Sequence, residues 1–180
     1  MTVKLEKFNP EEVSKLVSWI SDKEFLLQWA GPAYNMELLE QQLLDDIKSV
    51  DIENPVSLMF SVKQVKNNKT VGHIQLLNID RVNMAARIGR VIIGEKEERN
   101  KGIGKDAVEA VLEVAFDRLN LHRVDLGIFD FNKSAIACYE KAGFIIEGKF
   151  RDCRKINDEY WSMLNMSILE DEYRKTRNID

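Results

Sequence analysis

The chain has 180 residues, 44% of them hydrophobic and 31% charged, with 26 Lys plus Arg against 30 Asp plus Glu and a net charge of −4. That balance excludes collagen-like, low-complexity and wholly disordered chains, and the acidic excess argues against a nucleic-acid binder while mildly favouring a cationic substrate. A chain of this length buries about 70% of the surface its unfolded form exposes, so it needs no disulfide or metal staple, and we read one domain over residues 1–180. Cys138 and Cys153 read as reduced thiols, and with only His73 and His122 beside them no metal site is expected. The N-terminus has no apolar leader, and no apolar run approaches the ~20 residues of a membrane helix. A cytoplasmic protein with no membrane or nucleic-acid partner is the expectation.

Asn9-Pro10-Glu11-Glu12 has the form of a helix start, with Asn as cap and acids near the positive end of the dipole. Val13, Leu16, Val17 and Ile20 then repeat at helical spacing. The stretch with Trp29, Gly31, Pro32 and Tyr34 reads as a loop, after which Asn35 caps a helix carrying Leu38, Leu39, Leu43, Leu44 and Ile47. The period then changes. Leu58, Phe60, Val62 and Val65 fit a strand, Lys66-Asn67-Asn68-Lys69 turns the chain, and Val71, Ile74, Leu76 and Ile79 return it. A third strand covers 86–93. Ile103, Ala107, Val108, Val111, Leu112, Ala115 and Leu119 make a strong amphipathic helix. A strand over 122–129, a helix over 132–142 stopped by Gly143, and two strands near 144–149 and 160–169 complete the chain. The order predicts an α+β fold: one mixed, mostly antiparallel sheet flanked by helices.

The segment richest in chemistry is Arg99-Asn100-Lys101-Gly102-Ile103-Gly104-Lys105, between a strand and a helix. The first amides of a helix lack intrahelical partners, and the helix dipole adds positive charge where they point. Glycines let an anion approach the backbone, so the loop fits phosphate or pyrophosphate. A dinucleotide fingerprint fits poorly, because Ala107 holds the third glycine position and the motif follows an antiparallel meander. A Walker loop fails because Asp106 follows Lys105 where Ser or Thr is needed.

Arg99-x-x-Gly102-x-Gly104 resembles the acetyl-CoA pyrophosphate loop of the GNAT superfamily of N-acetyltransferases. Asn132-Lys133-Ser134-Ala135-Ile136-Ala137-Cys138-Tyr139-Glu140-Lys141-Ala142-Gly143-Phe144 is similar to that family's second signature, N-x-x-A-x-x-x-Y-x-x-x-G-F. Trp29-Ala30-Gly31-Pro32 and the stretch from Gly148 to Tyr160 look most like the subgroup of ribosomal-protein N-terminal and spermidine acetyltransferases. The resemblance implies a GNAT-like sheet splayed at the cofactor strand. It also implies transfer of acetyl from acetyl-CoA to a primary amine, either a small molecule or a protein N-terminus, by direct attack in a ternary complex. A longer acyl-CoA, or a non-catalytic CoA-binding module, is the alternative, and a homodimer through the last two strands is compatible by analogy.

On the same resemblance, Val91, Ile92 and Ile93 would offer their backbone to the pantetheine arm. The amides of Asn100, Lys101, Gly102, Ile103, Gly104 and Lys105 would bind pyrophosphate, with Arg99 and Lys141 as cationic neighbours. Asn132 would either bond pantetheine or cap its helix. Tyr139 would be the general acid that protonates the leaving thiolate. Relatives carry a Glu base at the position of Arg87; with Arg there, His73 becomes the candidate base, its unperturbed pKa being about 6.5, beside a water chain or a neutral amine. Trp29, Tyr34 and Arg87 would line the amine site. Cys138 has no histidine–acid pair around it and reads as an ordinary helix residue.

Overall fold

The computed structural model describes residues 1–177; the last three positions of the 1–180 domain lie outside the described residues. Strand β1, Val3–Lys7, comes first. Asn9 then accepts from the Glu11 amide and opens a single turn that runs into α1, Val13–Ser18. The stretch read as a loop is largely helical. Asp22 accepts from the Phe25 amide at 2.8 Å and starts α2, Lys23–Ala30, which places Trp29 on its buried face. Asn35 caps a turn, accepting from the Glu37 amide, and α3, Leu39–Val50, begins after it. Leu39, Leu43, Ile47 and Val50 form the buried stripe of α3, whereas Leu38 is exposed.

The meander follows as β2 (Leu58–Gln64), β3 (Thr70–Asp80) and β4 (Ala85–Ile93). Val65, read as part of the first hairpin strand, lies beyond β2 and is exposed. Helix α4, Ile103–Glu113, runs on through a wider turn over 114–118. Strand β5 (Arg123–Phe129), helix α5 (Lys133–Lys141) and strands β6 (Ile145–Ile156) and β7 (Glu159–Leu169) follow, with Gly143 at φ +97° stopping α5. A helix absent from the sequence reading, α6 (Glu170–Arg177), ends the described chain. No helix among the described residues is long and apolar enough to cross a membrane.

The seven strands form one sheet in the order β1-β2-β3-β4-β5-β7-β6. All neighbours are antiparallel except β4 and β5, as expected of the mixed sheet. Side chains alternate across the sheet, so one strand feeds two cores. On β2, Phe60 and Val62 pack with Val108, Val111, Leu112, Phe116, Leu126 and Ile168, whereas Met59 packs with Phe8, Leu16, Leu26, Trp29 and Leu43. Helix α4 thus covers one face, and α1 to α3 cover the other. Each large side chain withdrawn from water in these layers stabilises by about 1.5–3 kcal/mol, which fixes where the elements sit.

Two irregularities position the site. Strands β4 and β5 pair only where Ala85–Arg87 meet Arg123–Asp125; beyond that the strands part. Within β4, the step from Gly89 to Ile92 spans the step from Gln75 to His73 on β3, one residue more than its partner strand, and Arg90 takes φ +53° there. Such a bulge turns backbone donors and a side chain away from regular pairing.

Candidate active site

The parted strands border a small cavity of about 120 Å³. Its walls include Ile88, Gly89, Arg90 and Val91 from β4, Gly127 and Ile128 from β5, and Asn132 and Tyr139 from α5. The Tyr139 ring is buried and meets Phe144 edge-on, with centroids 5.8 Å apart. Burial pushes the Tyr139 phenol above its usual range, with a smaller contribution from the Cys138 thiol, so it is fully protonated at neutral pH. Asn132 Oδ1 accepts from the Ala135 amide at 3.3 Å, and the residue caps α5. Oδ1 thus serves the cap, which leaves the amide nitrogen of Asn132 as a separate donor.

Beside this cleft, the loop from Arg99 leads into α4. Gly102 is the cap residue and takes φ +83°. No other atom lies within 4 Å of where its Cβ would stand, so the requirement for glycine is conformational. The cations of the loop are less free than their sequence suggests. Arg99 Nε donates to the Ile93 carbonyl at 2.9 Å and Nη2 to Gly94 at 3.3 Å, which ties the loop to the end of β4. Lys101 pairs with Glu98 at 3.4 Å and Lys105 with Glu109 at 2.6 Å, and Lys141 is exposed at the end of α5. The positive character of the loop rests on the open amides of the α4 N-terminus more than on net side-chain charge. Cys138 Sγ stands 3.5 Å from where a Gly104 Cβ would be, and burial raises its thiol pKa, which disfavours a nucleophilic thiolate.

A larger cavity of about 560 Å³ adjoins the cleft. The two share Gln28, Trp29, Ile88, Gly89, Arg90 and Gly127. Trp29 stacks on Tyr34 with centroids 5.9 Å apart, and the Arg90 guanidinium lies over the Tyr34 ring at 4.2 Å. Asp46 accepts from the Tyr34 hydroxyl and from Arg90 at 3.1 Å. Burial and Asp46 hold the Tyr34 phenol above its usual range against the opposing charge of Arg90. Arg87 also lines this cavity, paired with Asp125 at 3.3 Å and donating to Asn165 Oδ1 at 3.2 Å. Trp29 and Arg87 thus stand on the wall of the cavity, and Tyr34 buttresses it through Arg90.

His73 does not fit the role read for it. Arg90 Nη1 donates to Gln75 Oε1 at 2.7 Å, so the Gln75 amide nitrogen must be what meets His73 Nε2 at 2.8 Å. That nitrogen donates, so the His73 Nε2 lone pair is occupied and its proton sits on Nδ1, which has no partner. The ring is fully buried against Phe8 and Trp29. Desolvation, and then the charge of Arg90, lower its pKa to about 3. A neutral histidine with no free lone pair and no path to solvent takes no proton from an amine. Its place is in the frame that holds Gln75 and Arg90.

Gln75, Arg90, Asp46, Gln28 and Arg154 were missed in the sequence. One signal was available: Gln75 stands between Ile74 and Leu76, two residues from His73, at a fully buried position, and a buried amide implies a polar network. Arg154 sits on a strand whose side chains are nearly all exposed, and nothing local marks it. Among the described residues no cluster of His, Cys, Asp and Glu could hold a metal.

The family of the acetyltransferase (GNAT) domain matches residues 2–145. A spermidine N(1)-acetyltransferase of Vibrio cholerae is 28% identical over 130 residues, which span 72% of this chain and 73% of that one. A protein of Bacillus subtilis named putative ribosomal N-acetyltransferase YdaF is 36% identical over 102 residues, 57% of this chain and a little over half, 55%, of its own length. Among solved structures, the spermidine N-acetyltransferase of Vibrio cholerae in complex with CoA and spermine superposes with a TM-score of 0.79, covering 96% of this chain and 98% of that chain at 22% identity. By the match over residues 2–145, the chain belongs to the GNAT family of acetyl-CoA-dependent N-acetyltransferases.

Proposed function

We propose that acetyl-CoA lies along the cleft between β4 and β5 with its pyrophosphate on the amides of 100–105, and that a primary amine enters from the larger cavity and attacks the thioester directly. The observation that carries this reading is that the two cavities meet at Gly89 and Arg90, at the β4 bulge. Amides at the bulge are suited to the thioester carbonyl, whose oxygen gains charge as the amine adds. Nitrogen–carbon bond formation and carbon–sulfur bond cleavage then expel a thiolate. Tyr139, protonated and on the wall of the cleft, gives that thiolate its proton, and the proton shed by the newly acylated nitrogen passes through water and restores the phenol. Asn132 and the strand end at Val91, Ile92 and Ile93 hold the pantetheine arm, and Arg99 shapes the loop through its two carbonyl contacts rather than by gripping phosphate.

With His73 committed to the frame, the amine arrives neutral or loses its proton to water at the cavity mouth. The cavity volume suits a small amine, since ligand sites run from about 300 to 1,000 Å³. The test is thiol release from acetyl-CoA by wild type and Tyr139→Phe with a panel of amines. Tyr139→Phe is expected to lower kcat by about 10²-fold or more while acetyl-CoA still binds, as loss of a general acid does. Equal turnover by the variant removes Tyr139 from the mechanism. Failure of acetyl-CoA to bind removes the site assignment.

A further inference from the structure

The charged residues that line the larger cavity are Arg87, Arg90, Arg154 and a single carboxylate, Asp46. Asp46 is spent on Arg90 and the Tyr34 hydroxyl. Arg87 pairs with Asp125, its register neighbour on β5, which Arg123 also approaches at 4.0 Å. Arg154 has no carboxylate within ion-pair distance among the described residues; its Nη1 donates only to its neighbour's carbonyl, Cys153 O, at 2.8 Å. The cavity is therefore locally cationic inside a chain whose net charge is −4.

The placement of these arginines is built into the backbone. Between Phe150 and Arg154, β6 advances four residues while β7 advances two, from Met163 to Trp161. Asp152 takes φ +51° in this bulge, and its amide donates to Ser162 Oγ at 3.0 Å. A bulge re-aims the side chains that follow it, and Arg154 joins the cavity wall although β5 and β7 separate its strand from β4. Across the floor, a Cβ on Gly127 would stand 2.8 Å from Arg87 Nη2 and 2.9 Å from Met163 Sδ, so the bare glycine leaves room for the guanidinium. Phe129 and Met163 add apolar lining to the same cavity.

We propose that the acceptor is a small amine that also carries an anionic group, a carboxylate or a phosphate, seated between Arg87 and Arg154 while its amine reaches the thioester at the β4 bulge. This rests on the acetyl-transfer reading above and narrows its acceptor. A guanidinium fork matches the two oxygens of either group, and a polyamine, positive throughout, meets repulsion on the same wall.

The test uses matched pairs: β-alanine against β-alaninamide, and phosphoethanolamine against ethanolamine, with spermidine alongside. CoA binding is measured first by calorimetry, then binding of each amine to the CoA-saturated protein, then thiol release from acetyl-CoA. The anionic member of at least one pair is expected to bind and react about 10- to 100-fold better than its neutral partner, the range of one or two charge-assisted contacts. Whichever pair shows this identifies carboxylate or phosphate. Arg154→Glu, at an exposed position, should erase the preference by raising the KM of the anionic member at constant kcat. The inference is overturned if CoA binds but neither pair shows a preference, if spermidine outperforms both, or if Arg154→Glu affects both members alike. Loss of CoA binding itself would instead overturn the function reading beneath it.

Discussion

The cofactor cleft and the acceptor cavity are made of different materials. The cleft is largely backbone: amides at the start of α4, the bulge of β4 and the open edges of two strands that part after Arg87 and Asp125. The cavity is largely side chain, drawn from α2, α3, β2, β3, β4, β5, β6 and β7. A backbone site tolerates sequence drift provided that glycine and cap positions hold, because every residue supplies an amide. A side-chain site changes its ligand with each substitution. One frame can therefore keep its co-substrate while its acceptor varies.

Substitutions that separate the two regions sharpen this contrast, and the largest expected effect lies in the cleft. Gly102→Val forces a β-branched residue into φ +83°. A strained residue of this kind costs about 1–3 kcal/mol, which the loop escapes by leaving its binding geometry. Acetyl-CoA affinity measured by calorimetry should fall by about 10- to 100-fold. The affinity of an acceptor for the CoA-saturated form should barely change. If acceptor binding falls in parallel, the two regions are not separable in this way.

Gln75→Leu tests the cavity from behind. It leaves Arg90 and His73 Nε2 without their shared partner. An orphaned buried polar group costs about 1–3 kcal/mol, and Tm should drop by several degrees. The acceptor KM should rise about five- to tenfold as Arg90 loses its anchor, a smaller effect than that of Gly102→Val because Asp46 still holds the guanidinium. An unchanged acceptor KM would detach Arg90 from the site.

The smallest effect is on stability. The His73 pKa lies near 3 in the fold and returns to about 6.5 on unfolding. Between those values the unfolded state binds the extra proton, so stability is complete above pH 6.5 and declines as pH falls toward 3. From pH 6 to pH 5 the unfolding free energy from urea titration should drop by about 1 kcal/mol on this account, and His73→Gln should flatten that segment. A wild-type curve already flat from pH 6 to 5 would show that His73 is not held neutral.

What was legible in the sequence follows the same division. The helix-start glycines, the motif around Tyr139 and the Gly143 stop are local signals, and they located α4, α5 and the cleft. The missed elements are those without a local signal. Strand β1 has five residues, three of them charged. Helix α2 starts at Asp22, but Gly31 and Pro32 at its far end pull the stretch toward a loop reading. Helix α6 buries only Tyr173, so no apolar stripe announces it. It is supported instead by the Glu170–Arg174 and Asp171–Lys175 pairs and by the Tyr173 hydroxyl donating to Asp117. The acceptor cavity was the least legible part, because its residues meet only after the sheet has formed. Net charge is no guide there: the chain as a whole is acidic, yet three arginines and one carboxylate, Asp46, line the cavity.

In the proposed mechanism both cavities are filled together and meet at Gly89 and Arg90, so that acetyl passes in one step. Initial-rate kinetics with acetyl-CoA and a reactive acceptor both varied tests it most directly. Intersecting double-reciprocal lines, with no acetyl-protein formed in the absence of amine, are the predicted result. Parallel lines, with an acetyl group retained on Cys138, would contradict it.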